Sequence, residues 1–148
     1  MMIRSKFAAA IICLAFGPPC FAAELTISVD SLRNAQGSVF ICVFSAEGSN
    51  VALFPDCDKG KPVRSGKVTI SGGKAVITYS GLKDGVYAVA MIHDENANGK
   101  LDTNFLGLPV EGYGVSNNPH LYGAPEFGQA KFDLAGKKTI GITAEYLL

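Results

Sequence analysis

The sequence predicts an all-β domain, an antiparallel seven-stranded β-sandwich of immunoglobulin-like or prealbumin-like type, and three observations predict it. Beyond residue 22, no window of about 11 residues carries a helical apolar period. Short β-patterned runs alternate instead with Gly, Asn, Asp and Pro punctuation. Two of these runs are apolar on both faces, as strands covered from both sides must be. With no helices between the runs, βαβ units are disfavoured and a sandwich is favoured.

Taken in order, Leu25, Ile27 and Val29 alternate with Thr26, Ser28 and Asp30, the pattern of a half-buried strand. Residues 37–45 (G-S-V-F-I-C-V-F-S) are apolar on both faces and predict a central strand. Residues 67–71 and 74–80 flank Gly72-Gly73, a two-residue hairpin signal. Residues 85–93 (G-V-Y-A-V-A-M-I-H) form the second doubly apolar run. Residues 129–134 and 138–147 close the chain around an Ala-Gly turn.

Two connections are too long for plain turns. The first, 46–66, holds Leu53, Phe54 and Cys57, with a short helical turn expected over 49–54. The second, 94–128, carries Pro109, Pro119 and Pro125 among the aromatics Phe105, Tyr113, Tyr122 and Phe127. A stretch this long inside a compact domain is functional or disordered, and its aromatic content argues for order.

The start of the chain reads as an export signal. Arg4 and Lys6 precede the uncharged apolar run 7–16, which breaks at Gly17-Pro18-Pro19, and Cys20 and Ala22 supply small residues before a cleavage site at Ala23. The run is too short for a membrane span. Pro18 and Pro19 stand where a lipoprotein signal wants small residues before Cys20. The expected organisation is a cleavable signal peptide at 1–22 and one domain at 23–148. The expected location is the periplasm or the extracellular space, with no membrane span in the mature form.

Cleavage removes Arg4 and Lys6, leaving 11 of the 13 basic residues against 13 acidic ones. Without clustered cations the mature surface does not suit nucleic acid or an anionic membrane. Cys13 and Cys20 also leave with the signal, so Cys42 and Cys57 remain. In an oxidising compartment an even pair predicts a disulfide rather than two buried thiols. Cys42 shares a strand face with Phe40 and Phe44, so a bond to Cys57 clamps the 46–66 excursion onto that face.

One segment carries pointed chemistry. From Asp94 the chain reads D-E-N-A-N-G-K-L-D, placing oxygen-bearing side chains at Asp94, Asn96, Asn98 and Asp102 with Gly99 between. This is the opening of a D-x-[DN]-x-[DN]-G calcium loop, with the Lys100 carbonyl as a further ligand. The twelfth position, where a helical calcium loop supplies a bidentate Glu, is Phe105. Any Ca²⁺ site here is therefore under-charged and weak, unless Glu95 or Glu111 folds back. The competing reading is a metal-free turn, in which Asp and Asn side chains cap backbone amides around Asn98-Gly99.

The stretch from Ala90 to Asn118 resembles the domain of unknown function 2141 family of small exported bacterial proteins. The likeness rests on His93, Asp94, Asn96, Asn98, Gly99, Leu101 and Asp102, then Gly107, Pro109, Glu111, Gly112, Tyr113 and Gly114, then Ser116, Asn117 and Asn118. The resemblance implies a one-domain exported β-sandwich and brings no activity with it. The Asp/Asn core is also similar to calcium loops in β-sandwich modules of bacterial adhesins.

Catalytic motifs are scarce. There is no G-x-S-x-G elbow and no H-E-x-x-H. His93 beside Asp94 invites a general-base role, but neighbours on a strand point to opposite faces. The expected function is a non-enzymatic binding or structural module with 94–128 as its working face. Phe105, Tyr113 and Tyr122 are the candidate ligand platform, for carbohydrate, peptide or a cell-envelope component. The rival is a small hydrolase using His93 and nearby carboxylates.

Overall fold

The computed structural model describes residues 22–120 and 122–148. The predicted signal peptide, Ala22 apart, lies outside them. In chain order the strands are β1 (Ala23–Asp30), β2 (Ser38–Ser45), β3 (Arg64–Val68), β4 (Ala75–Leu82), β5 (Gly85–Asp94), β6 (Gly112–Val115), β7 (Phe132–Leu134) and β8 (Lys137–Thr143). Among the described residues helix is confined to a 3₁₀ turn at Val51–Leu53, inside the expected 49–54, and a single turn α1 (Phe127–Ala130). Among the described residues no helix is long and apolar enough to cross a membrane.

The strands form a three-stranded sheet, β4-β1-β8, facing a five-stranded one, β3-β2-β5-β6, in which β7 also pairs with β5. β1 alternates strictly, burying Ala23, Leu25, Ile27 and Val29 completely. Opposite them lie Val39, Ile41 and Val43 of β2 with Val89 and Met91 of β5, all at or below 1% exposure. Each such side chain stabilises the fold by about 1.5–3 kcal/mol against leaving it in water.

Two expectations need correction. The sandwich is not wholly antiparallel, because β1 and β8 run parallel in register from Glu24↔Lys137 to Asp30↔Thr143. The first and last of the described strands lie side by side, and the residues between them supply the crossover that a parallel pair needs. The strand count is eight rather than seven among the described residues. The extra strand, β6, lies in the stretch read as a long connection, and its G-Y-G-V sequence has little strand propensity.

The hairpin expected at Gly72-Gly73 is a turn between layers. Ser71 and Lys74 exchange both backbone hydrogen bonds, 2.8 and 3.1 Å, around two glycines at φ 58° and 73°. Beyond them β3 pairs with β2 while β4 pairs with β1, so the strands part into opposite sheets. The Ala135-Gly136 turn does the same between β7 and β8.

The outer face of the five-stranded sheet has a core of its own. Cys42 and Phe44 of β2, with Ala88 and Ala90 of β5, pack against Phe54, Val115 and Ala130. Phe54 meets Phe44 edge-on at 5.0 Å and Phe127 at 6.0 Å. The Cys42–Cys57 disulfide joins the excursion to this face, as the sequence predicts. It covers one end of the face and leaves Phe40, Ile92 and Tyr113 only partly buried at the other.

Candidate functional site

β5 ends in Asp94, fully buried, whose two carboxylate oxygens accept the backbone N–H groups of Asn98 (3.0 Å) and Gly99 (2.8 Å). Asp102 accepts the side-chain amides of Asn96 and Asn98, the latter at 2.8 Å. Asn98 in turn accepts the N–H of Lys100 at 2.9 Å. The structure therefore brings Asp94, Asn96, Asn98, Lys100 and Asp102 into one cluster. Glu111, 4% exposed, folds back on the loop and accepts the N–H groups of Glu95 (2.9 Å) and Asp102 (3.0 Å). Hydrogen bonds of this charge-assisted kind are about twice as strong as neutral ones and fix the loop's course. Among the described residues, no three His, Cys, Asp or Glu side chains converge as a metal-binding group.

Glu95 turns away from the loop. Its carboxylate takes a two-pronged bond from the Arg33 guanidinium, 2.7 and 2.8 Å, and another from the Asn34 amide. Arg33 chiefly, then Asn34, holds the Glu95 carboxyl down at about 2. The same guanidinium donates to the carbonyls of Val110 and Leu148 and lies 4.6 Å over the Tyr146 ring. One arginine thus ties the β1–β2 connection, the loop and the C-terminus together.

His93 sits on the opposite side of β5 from Ile92, facing the inner core with no exposure. Its Nε2 lies 2.9 Å from the Gln36 carbonyl and its Nδ1 lies 2.7 Å from the Tyr146 hydroxyl. A carbonyl only accepts, so Nε2 carries a proton and donates it to Gln36, while Nδ1 shares its hydrogen bond with the Tyr146 hydroxyl. The Tyr146 oxygen also accepts the Arg33 N–H at 3.1 Å. Burial pushes the Tyr146 hydroxyl pKa up.

β6 explains G-Y-G. Gly112 pairs with His93 and Gly114 with Met91, so both face inward, while Tyr113 pairs with Ile92 and faces out. A Cβ on Gly112 would fall 2.5 Å from the Tyr146 ring, and one on Gly114 2.8 Å from Ile142. Glycine lets the C-terminal segment close on β6, and Glu145 exchanges both backbone bonds with Tyr113. Ser-Asn-Asn then fastens the exit of β6. Ser116 donates to the Ala130 carbonyl at 2.6 Å and Asn117 to the Lys131 carbonyl at 2.9 Å. Asn118 bonds Gly141 and Thr143 as a neighbouring strand would, covering that part of the β8 edge.

Above the open end of the outer face lies a cleft of about 790 Å³. Phe40, Ala90, Ile92, Tyr113 and Val115 form its floor, and the disulfide side of the excursion, at Pro55–Asp58, forms one wall. Gly99–Leu101 and Leu108 of the Asp/Asn loop region, Leu147, and the 122–125 segment complete it. Of the expected platform, Tyr113 and Tyr122 line this cleft. Phe105 does not, and stands 95% exposed. The floor residues Phe40 and Ile92 and the wall residue Leu108 escape the sequence reading. Their signal is the outward apolar row on two strands whose cover, the excursion, is too short for both ends.

The chain belongs to the DUF2141 family, described as an uncharacterized protein conserved in bacteria, whose pattern matches residues 27–141. No curated protein and no solved structure matches it.

Proposed function

We propose that this chain is an exported, non-enzymatic binding module of the periplasm or extracellular space, built on an immunoglobulin-like or prealbumin-like sandwich, with its ligand in the cleft over the outer face. The observation that carries the reading is the open end of that face: apolar side chains in a concave site of about 790 Å³, within the range of about 300–1,000 Å³ usual for ligand pockets. Export draws support from the Cys42–Cys57 bond, which an oxidising compartment preserves, and from β1 starting at Ala23.

A non-catalytic role draws support from where the reactive groups lie. His93 is buried on the face away from the cleft with both ring nitrogens engaged, Asp94 is spent on backbone amides, and Glu95 on Arg33. A hydrolase needs an accessible base beside its substrate.

Calcium enters the proposal as an organiser of the wall, since Gly99–Leu101 lines the cleft. Asp94 and Asp102 would be its carboxylate ligands, with carbonyl oxygens of Asn96, Asn98 and Lys100. A thermal melt with excess chelator and with millimolar Ca²⁺ tests it. A midpoint raised by Ca²⁺ and insensitive to it in Asp94→Ala is the expected result, and identical midpoints remove calcium. The binding reading is tested by screening peptides, oligosaccharides and amphiphiles for a midpoint shift that Leu108→Glu abolishes. No shift from any class sinks it.

A further inference from the structure

From the chemistry of the same cleft, and resting on the binding reading, we infer that its ligand is a small amphiphile whose apolar chain lies along Phe40, Ile92 and Tyr113 and whose polar head stays at the mouth. Of the five floor side chains, the Tyr113 hydroxyl alone can hydrogen-bond a polar ligand. β5 has both its edges paired, by β2 and β6, and the far edge of β6 is taken where Tyr113 and Glu145 exchange their backbone bonds. An extended peptide finds no free strand edge there to add to. No amide, imidazole or aliphatic hydroxyl side chain lines the site among the described residues; beyond the Tyr113 and Tyr122 hydroxyls its hydrogen-bonding side chains are the charged ones at the rim, a sparse set for a sugar. Charge is confined to Asp56, Asp58 and Lys100, all exposed at the rim.

The exposed apolar side chains point the same way. Leu108 is 39% and Leu147 51% exposed, both lining this cleft, beside the aromatic packing that closes the other end of the face. Contiguous exposed apolar surface of this kind marks a site that something apolar covers. Each methylene transferred from water to such a floor tightens binding by about fourfold, so chain length sets affinity.

The test is titration of the purified, disulfide-intact protein with N-phenylnaphthylamine, followed by displacement with lauric acid and with dodecylamine. Saturable, one-to-one fluorescence enhancement displaced by either alkyl compound is expected. Leu108→Glu weakens it by about tenfold or more. Val76→Glu, at a more exposed position on the other sheet (54% against 39%), leaves it unchanged. Enhancement that does not saturate, or that Val76→Glu reduces as much as Leu108→Glu, overturns the inference. Binding of an oligosaccharide or peptide without the dye or alkyl chains overturns it too, while leaving the binding reading standing. Silence from all classes removes both.

Discussion

The two ends of the outer face of the five-stranded sheet are made from the same strands and the same kinds of residue, yet meet different fates. At one end Cys42, Phe44 and Ala88 are sealed under Phe54, Phe127 and the disulfide. At the other, Phe40, Ile92 and Tyr113 remain only partly buried under a cleft. An apolar strand face by itself therefore does not tell stability from function. What separates them is how far the covering excursion reaches, and a disulfide sets that reach.

Substitutions break or sharpen this contrast. The largest effect is expected at the sealed end, where Phe54→Ala costs about 3–4 kcal/mol in denaturant unfolding by opening a cavity between Phe44 and Phe127. Replacing both Cys42 and Cys57 by Ala costs about 2–4 kcal/mol and frees the wall at Pro55–Asp58. Next comes the seam beneath the open end. Gly114→Ala drives a Cβ to 2.8 Å from Ile142 and 3.0 Å from the Thr143 carbonyl, so a loss of about 1–3 kcal/mol is expected.

Smaller still is the Arg33–Glu95 tie. The folded-state pKa of Glu95 lies at about 2, below its ordinary 4.5, so the unfolded chain binds the proton more tightly. Its contribution is fully present above about pH 4.5 and is lost as pH falls from there towards 2. Water screens this partly exposed pair, so its share of the stability is small. Urea midpoints measured down to pH 2.5 should fall less steeply in Glu95→Gln than in the unmodified protein, and parallel slopes would remove the tie from the account. At the open end Leu108→Glu should change stability by less than about 0.5 kcal/mol.

Much of this was legible in the residues. The alternation in β1 and the doubly apolar β2 and β5 follow from spacing, and the Cys42–Cys57 pair from the even number left once the expected signal is set aside. β6 did not, because Gly112 and Gly114 read as loop residues until Tyr146 and Ile142 are seen pressed against them. Nor did the parallel β1–β8 pair, since nothing local in either strand marks its partner. His93 was legible as a strand residue, but its bond to Tyr146 joins positions far apart in sequence. The role of Arg33 was invisible for the same reason. The cleft escaped because its floor looks like ordinary core until the length of its cover is known.

The central claim is that the open end serves binding and not stability. It is tested most directly by measuring dye affinity and unfolding midpoint together on Leu108→Glu. The account predicts affinity lost about tenfold or more with the midpoint unmoved. Affinity retained, or a midpoint that falls as it does in Phe54→Ala, would contradict it.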